Sequence, residues 1–134
     1  MPKINSYKDL IVWQKALELS KEIYSITKNF PKEEQFGLVS QMRRAVVSIL
    51  SNIAEGSGRY YSGEWKQFYS IAYGSTLELE AQLILSKELE FISVDSTKKS
   101  FGLLEEISKM LLTILKNLRT KNEIASSPVS QIAS

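Results

Sequence analysis

Apolar residues recur at steps of three and four along most of this chain, a spacing that lines one face of an α-helix. Val12, Ala16, Leu19, Ile23, Ile26 and Phe30 predict a first helix over about 7–29. Pro31 lacks a donor and restricts Phe30, so "NFPKEEQFG" ends that run, with room for a short turn within 31–36. A second helix is predicted over about 37–56, a third over about 63–89 and a fourth over about 96–121. In the fourth, Leu104, Ile107, Leu111, Ile114 and Leu118 form an unbroken seam. Ser6, Ser62 and either Ser93 or Asp95 are the expected N-caps, and Gly56 or Gly58 the expected left-handed stop of the second helix. "KNEIASSPVSQIAS" has no period and is rich in Ser, so residues 122–134 read as a flexible C-terminal tail behind a domain of residues 1–121. Short connections favour antiparallel neighbours, so the expected fold is all-α, an antiparallel up-down-up-down four-helix bundle.

Helices 2 and 3 carry more apolar surface than a solitary bundle can cover. On helix 2, Val39, Met42, Ala45, Val46, Ile49, Leu50 and Ile53 face one way, and Val47 and Ala54 widen the arc to roughly 200°. The remaining sector holds Gln41, Arg44, Ser48, Ser51, Asn52 and Glu55, mostly short uncharged polar groups where a face meant for water usually carries Lys and Glu. Helix 3 has a core stripe of Trp65, Phe68, Ala72, Leu79 and Leu83, and on its opposite side Gly74, Leu77, Ala81 and Ile84. A helix that is apolar on both sides is expected to be buried on both sides. Small Gly74 and Ala81 would let another helix approach closely, with Leu77 and Ile84 filling the space beside them. The expected cover is another copy of the chain, with Arg44, Ser48, Asn52, Glu55, Gly74, Leu77, Ala81 and Ile84 at the oligomer interface.

Composition narrows the chemistry. The 134 residues fit one domain, and six Gly with three Pro suit long helices. Neither Cys nor His occurs, which removes disulfides, thiolate metal sites, the commonest general base and the commonest transition-metal ligand. No run is apolar enough to span a bilayer and the N-terminus shows no secretory signal, so the expected location is the cytoplasm, away from membranes. Net charge is only +2, but it is uneven. Residues 1–30 hold five Lys against three acids, and residues 60–95 two Lys against six acids.

Three segments, "YKDLIVWQKALELSKEIY", "FPKEEQFGLVSQMRRAVVSILSNIAEGSGR" and "FYSIAYGSTLELEAQL", resemble the bacterial four-helix-bundle family named for proteins encoded in intervening sequences of 23S rRNA genes. The ordered set Trp13-Gln14-Lys15-Ala16, Phe30-Pro31, Gln41 through Gly56 and Gly74-Ser75 carries the resemblance, which covers roughly residues 7–120. It implies a cytoplasmic bacterial homo-oligomer, often a ring of five subunits, with no established molecular activity for most members. A related branch, the accessory proteins of diversity-generating retroelements, is strongly basic and binds nucleic acid. This chain departs from that branch in being only weakly basic.

Candidate contacts to RNA or DNA are Lys8 and Lys15, which share a face of helix 1, Lys21 and Lys28 likewise, Arg59 beside Tyr60 and Tyr61, and Lys109, Lys116 and Arg119 on helix 4. Repeated around a ring, modest charge would add up along a polyanion. The plainer reading makes these solvated faces with local partners such as Glu105–Lys109. For Arg43 and Arg44 the expectation is that at least one is held by a carboxylate, Glu55, Glu78 or Glu80. Catalysis finds little footing: Ser48 and Ser51 have no His, Glu78 and Glu80 point to different sides of their helix, and "GSGR" lacks the setting of a phosphate loop. No cofactor or metal is expected. The reading is a non-enzymatic homo-oligomer acting as a nucleic-acid-associated accessory or scaffold, with a protein-binding scaffold that has no nucleic-acid role as the alternative.

Overall fold

A computed structural model describes the backbone of residues 6–59 and 62–122 and the side chains up to residue 117. Tyr60, Tyr61, the side chains of Leu118 and Arg119, and the expected tail beyond residue 122 lie outside the described residues. Four helices form a bundle: α1 (Ile11–Thr27), α2 (Leu38–Gly58), α3 (Trp65–Glu88) and α4 (Val94–Asn122). Single 3-10 turns at Tyr7–Asp9 and Lys32–Glu34 precede α1 and α2.

Each helix packs on its neighbours in the chain, and α1 also packs on α4, which closes the bundle. Ser57 bonds Tyr69, Ser48 bonds Ser75 and Ser86 bonds Met42, so α2 and α3 run antiparallel. The ion pairs of Lys15 with Glu106 and of Lys99 with Glu18 and Glu22 give α1 and α4 the same relation. The core is the inward stripe of all four helices. It holds Ala16, Leu19 and Ile23 from α1, and Met42, Val46, Ile49 and Ile53 from α2. Ala72, Leu79 and Leu83 come from α3, and Leu104, Ile107 and Leu111 from α4.

The ends of the helices are set by local bonds that differ in part from expectation. Ser6 caps the first 3-10 turn, accepting from Lys8 N at 3.2 Å, and extended Leu10 separates that turn from α1. The expected first helix, over about 7–29, is thus divided at Leu10. The Glu34 carboxylate accepts from Leu38 N at 3.3 Å and so serves the start of α2. Neither Gly56 nor Gly58 is a left-handed stop; both are helical, and α2 ends at Arg59 with φ -108°. Gly56 is instead a packing residue, buried against Tyr69 and Phe68 of α3. Ser62 is not the residue that caps α3: its hydroxyl donates to Arg59 O and accepts from Glu64 N within the loop. Ser93 does cap α4, accepting from Ser96 N at 3.2 Å. The end of α3 is a Schellman turn, with Phe91 N bonded to Ser86 O and Glu90 N to Lys87 O. Its left-handed position is Glu90, at φ 61°, where glycine is usual.

Candidate interaction surface

The α2–α3 contact is the most extensive in the bundle, and short side chains allow it. Gly56 lets the Tyr69 ring lie against the α2 backbone, and the Tyr69 hydroxyl meets Ser57 Oγ at 2.8 Å. Burial pushes the Tyr69 phenol above its usual pKa, and the Ser57 bond opposes that shift in part. Further along, Ser48 Oγ and Ser75 Oγ are 2.9 Å apart, and Asn52 Nδ2 donates to Ser48 O at 2.8 Å. Ser48 and Asn52 therefore satisfy each other and α3 within one chain. Gln82 is buried between these helices; its Nε2 donates to Glu78 while its Oε1 has no hydrogen-bond partner in the structure.

Outside this joint, the second apolar stripe of α3 faces outward. Leu77 is 48% exposed and Ile84 45%, with Gly74 and Ala81 open beside them. An added Cβ at Gly74 would meet nothing within 4 Å. Ile71 and Leu85 flank the stripe and are also about half exposed. On its α4 side the stripe descends into a groove of ≈ 370 Å³ lined by Tyr73, Leu77, Glu80, Phe101, Glu105 and Leu112, among others. On the outer face of α2, Arg44 and Glu55 are exposed, with Val47 beside Arg44 at 40% exposure.

The two adjacent arginines have different lives. Arg43 lies towards α1, where its Nε donates to Thr27 Oγ1 at 3.0 Å and its Nη2 to Tyr24 O at 3.3 Å. Its guanidinium also covers the Tyr24 ring at 4.6 Å. The expected carboxylate does not hold it: α1 is the nearer wall, and it offers a hydroxyl, a carbonyl and a ring. Arg44 has no ion-pair partner among the described residues. Of the three acids proposed for these arginines, Glu55 pairs with Arg59 at 3.6 Å and Glu78 accepts from Gln82. Glu80 has no ion-pair partner among the described residues.

The candidate polyanion contacts are scattered and partly committed. Lys15 Nζ is 2.6 Å from Glu106, and Lys109 Nζ is 2.9 Å from Glu105. Arg59 pairs with Glu64 at 2.9 Å and covers the Phe68 ring at 5.1 Å. Lys8 is exposed on the 3-10 turn that precedes α1, and not on α1 itself. Lys21 and Lys28 are exposed two turns apart, and Lys116 is exposed on α4. No group of His, Cys, Asp or Glu among the described residues could hold a metal ion. No helix among them is long and apolar enough to cross a membrane.

Residues 8–113, which span α1, α2, α3 and most of α4, match the sequence pattern of the 23S rRNA-intervening sequence proteins. The chain belongs to that family. One solved relative of this intervening-sequence protein is a protein with unknown function from the S23 ribosomal protein family of Bacteroides thetaiotaomicron. The two superpose with a TM-score of 0.70 at 27% identity, covering 79% of this chain and 99% of that one. A search of curated proteins returns no match for this family member.

Proposed function

We propose that this intervening-sequence protein is a non-enzymatic, homo-oligomeric scaffold whose subunits join through the outer faces of α2 and α3. The observation that carries this reading is the half-exposed strip of Ile71, Leu77, Ile84 and Leu85 beside open Gly74 and Ala81. Full burial of a Leu or Ile is worth roughly 1.5–3 kcal/mol, so the exposed half of each residue leaves about 1 kcal/mol unused. A ring of five subunits is the assembly that the family resemblance implies. The cytoplasm is its proposed location.

Sedimentation of the full chain tests the assembly, with Leu77→Asp and Ala81→Arg as disrupting variants. The expected result is smaller particles with unchanged helical content. A wild-type chain that sediments as a folded single subunit at micromolar concentration overturns the proposal, and so do two variants that sediment like wild type.

A second reading, association with RNA or DNA, draws on exposed Lys21 and Lys28 and on their repetition around an assembly. The commitment of Lys15, Lys109 and Arg59 to carboxylates makes it the weaker of the two. Binding to structured RNA across a salt series decides it: phosphate contacts give a steep loss of affinity with salt. Absence of binding at low salt leaves the scaffold alone.

A further inference from the structure

Lys21, Tyr24 and Lys28 recur at steps of three and four, so they share one face of α1, with the lysines about 10 Å apart along the axis. Arg43 reaches the same face from α2. Its Nε donates to Thr27 Oγ1 at 3.0 Å, its Nη2 donates to Tyr24 O at 3.3 Å, and its guanidinium covers one side of the Tyr24 ring at 4.6 Å. All of these partners are neutral, so the charge of Arg43 stays uncancelled. The acids of the neighbouring elements are engaged elsewhere. Glu18 and Glu22 of α1 turn to Lys99 of α4, and Glu55, the single acid of α2, pairs with Arg59. In the connector, Glu34 accepts from Leu38 N and Glu33 adjoins Lys32. Lys21 and Lys28 are exposed and have no ion-pair partner among the described residues.

A stripe of lysines on a helix is by itself an ordinary solvated face. Tyr24 sets this one apart: its ring is 41% exposed even with Arg43 across one side, and two hydrogen bonds fix that guanidinium in place. We propose that this α1–α2 face binds single-stranded nucleic acid, with Lys21 and Lys28 contacting phosphates on either side of a base that stacks on Tyr24. The inference rests on the nucleic-acid reading and adds the surface and the kind of strand. A ring already braced by Arg43 loses little freedom when a base covers it. A duplex keeps its base faces stacked inside, so only an open strand can offer one to Tyr24. Every base has such a face, and the lysines touch only the backbone, so the site is indifferent to sequence. Leu17 and Val47, each 40% exposed, lie one turn before Lys21 and one turn beyond Arg43 and extend the apolar ground beside the ring.

The test is fluorescence anisotropy of labelled oligo(U) and of labelled duplex RNA with the full chain over a salt series. Wild type is compared with Tyr24→Ala, Tyr24→Phe, Lys21→Gln and Lys28→Gln, and circular dichroism checks the helical content of each. Tyr24→Ala is expected to weaken oligo(U) binding by about tenfold with an unchanged salt slope, and to leave duplex binding as it was. Tyr24→Phe keeps wild-type affinity because the ring remains. Each lysine variant is expected to lower the oligo(U) salt slope by about 0.7. A wild type that binds oligo(U) while Tyr24→Ala binds it equally well overturns the stacking site and leaves the nucleic-acid reading standing. So does a Tyr24→Ala protein that loses oligo(U) and duplex affinity alike, or a salt slope that neither lysine variant moves. A wild type that binds neither RNA at low salt overturns both.

Discussion

Gly56→Ala is a one-carbon change whose sign the structure reverses from the usual rule. In a helix interior, Gly→Ala normally stabilises by about 1 kcal/mol because alanine has less backbone freedom to lose. At position 56 the new Cβ would lie 2.6 Å from Tyr69 Cδ1, 2.7 Å from Cε1 and 3.1 Å from Phe68 Cβ. Phe68 Cβ moves only with the α3 backbone. The Tyr69 ring is held from two sides, by the 2.8 Å bond to Ser57 and by the edge of Trp65 at a centroid distance of 5.5 Å. Relief therefore needs α2 and α3 to part or Tyr69 to give up its bond. Overpacking costs about 1–3 kcal/mol and the lost bond about 1 kcal/mol, so the net effect is a destabilisation of about 1–3 kcal/mol. Gly102→Ala on α4 is the reference, since a Cβ there meets nothing within 4 Å and the full gain of about 1 kcal/mol is expected. Urea unfolding followed by circular dichroism, at one protein concentration so that assembly contributes equally, should separate the two variants by about 2–4 kcal/mol. A Gly56→Ala protein as stable as Gly102→Ala would refute the close approach of the two helices.

Other outcomes follow from single contacts. Because burial raises the Tyr69 pKa, the unfolded chain releases this proton first as pH climbs. The stability that depends on the neutral phenol is intact below pH 10 and lost between the unfolded and folded pKa values. Tyr69→Phe should flatten that alkaline decline, read by urea unfolding across a pH series. Thr27→Val strips Arg43 Nε of its acceptor and should cost about 1 kcal/mol in urea unfolding, while Thr27→Ser keeps wild-type stability. Glu106→Gln weakens a partly exposed ion pair and should cost less than about 1 kcal/mol by the same measure. If RNA is bound through α1, Lys21→Glu together with Lys28→Glu should lower the salt slope of binding by about 2, and an unchanged slope would place the phosphates elsewhere.

The four helices were legible because period three-four repeats survive in each, from Val12–Ile23 on α1 to Leu104–Leu111 on α4. The outward stripe of α3 was legible for the same reason: Leu77 and Ile84 fall opposite Leu79 and Leu83 whatever the neighbours do. What could not be read is pairing between helices. That Ser48 bonds Ser75 cannot be read from the sequence, because only the fold sets the two hydroxyls opposite each other. Arg43 looked like half of an ion pair because the proximity of Thr27 and Tyr24 is a property of the fold. Gly56 was read as punctuation because glycine serves both as a helix stop and as a close-approach site, and only Tyr69 across the joint decides between them. The cap of α3 left no local trace, since Glu90 holds the place where glycine would have announced it.

That last substitution has a cost and a counterweight. Glu90 takes a backbone shape that a side chain resists, yet the turn delivers Phe91 onto Phe30, their rings 5.8 Å apart, so the reversal after α3 leans on the connector before α2. The first and second helical hairpins are thereby stitched together at one end of the bundle. Neither can be transplanted into another protein as a self-sufficient module, because each carries only half of the clasp that shapes the other's bend.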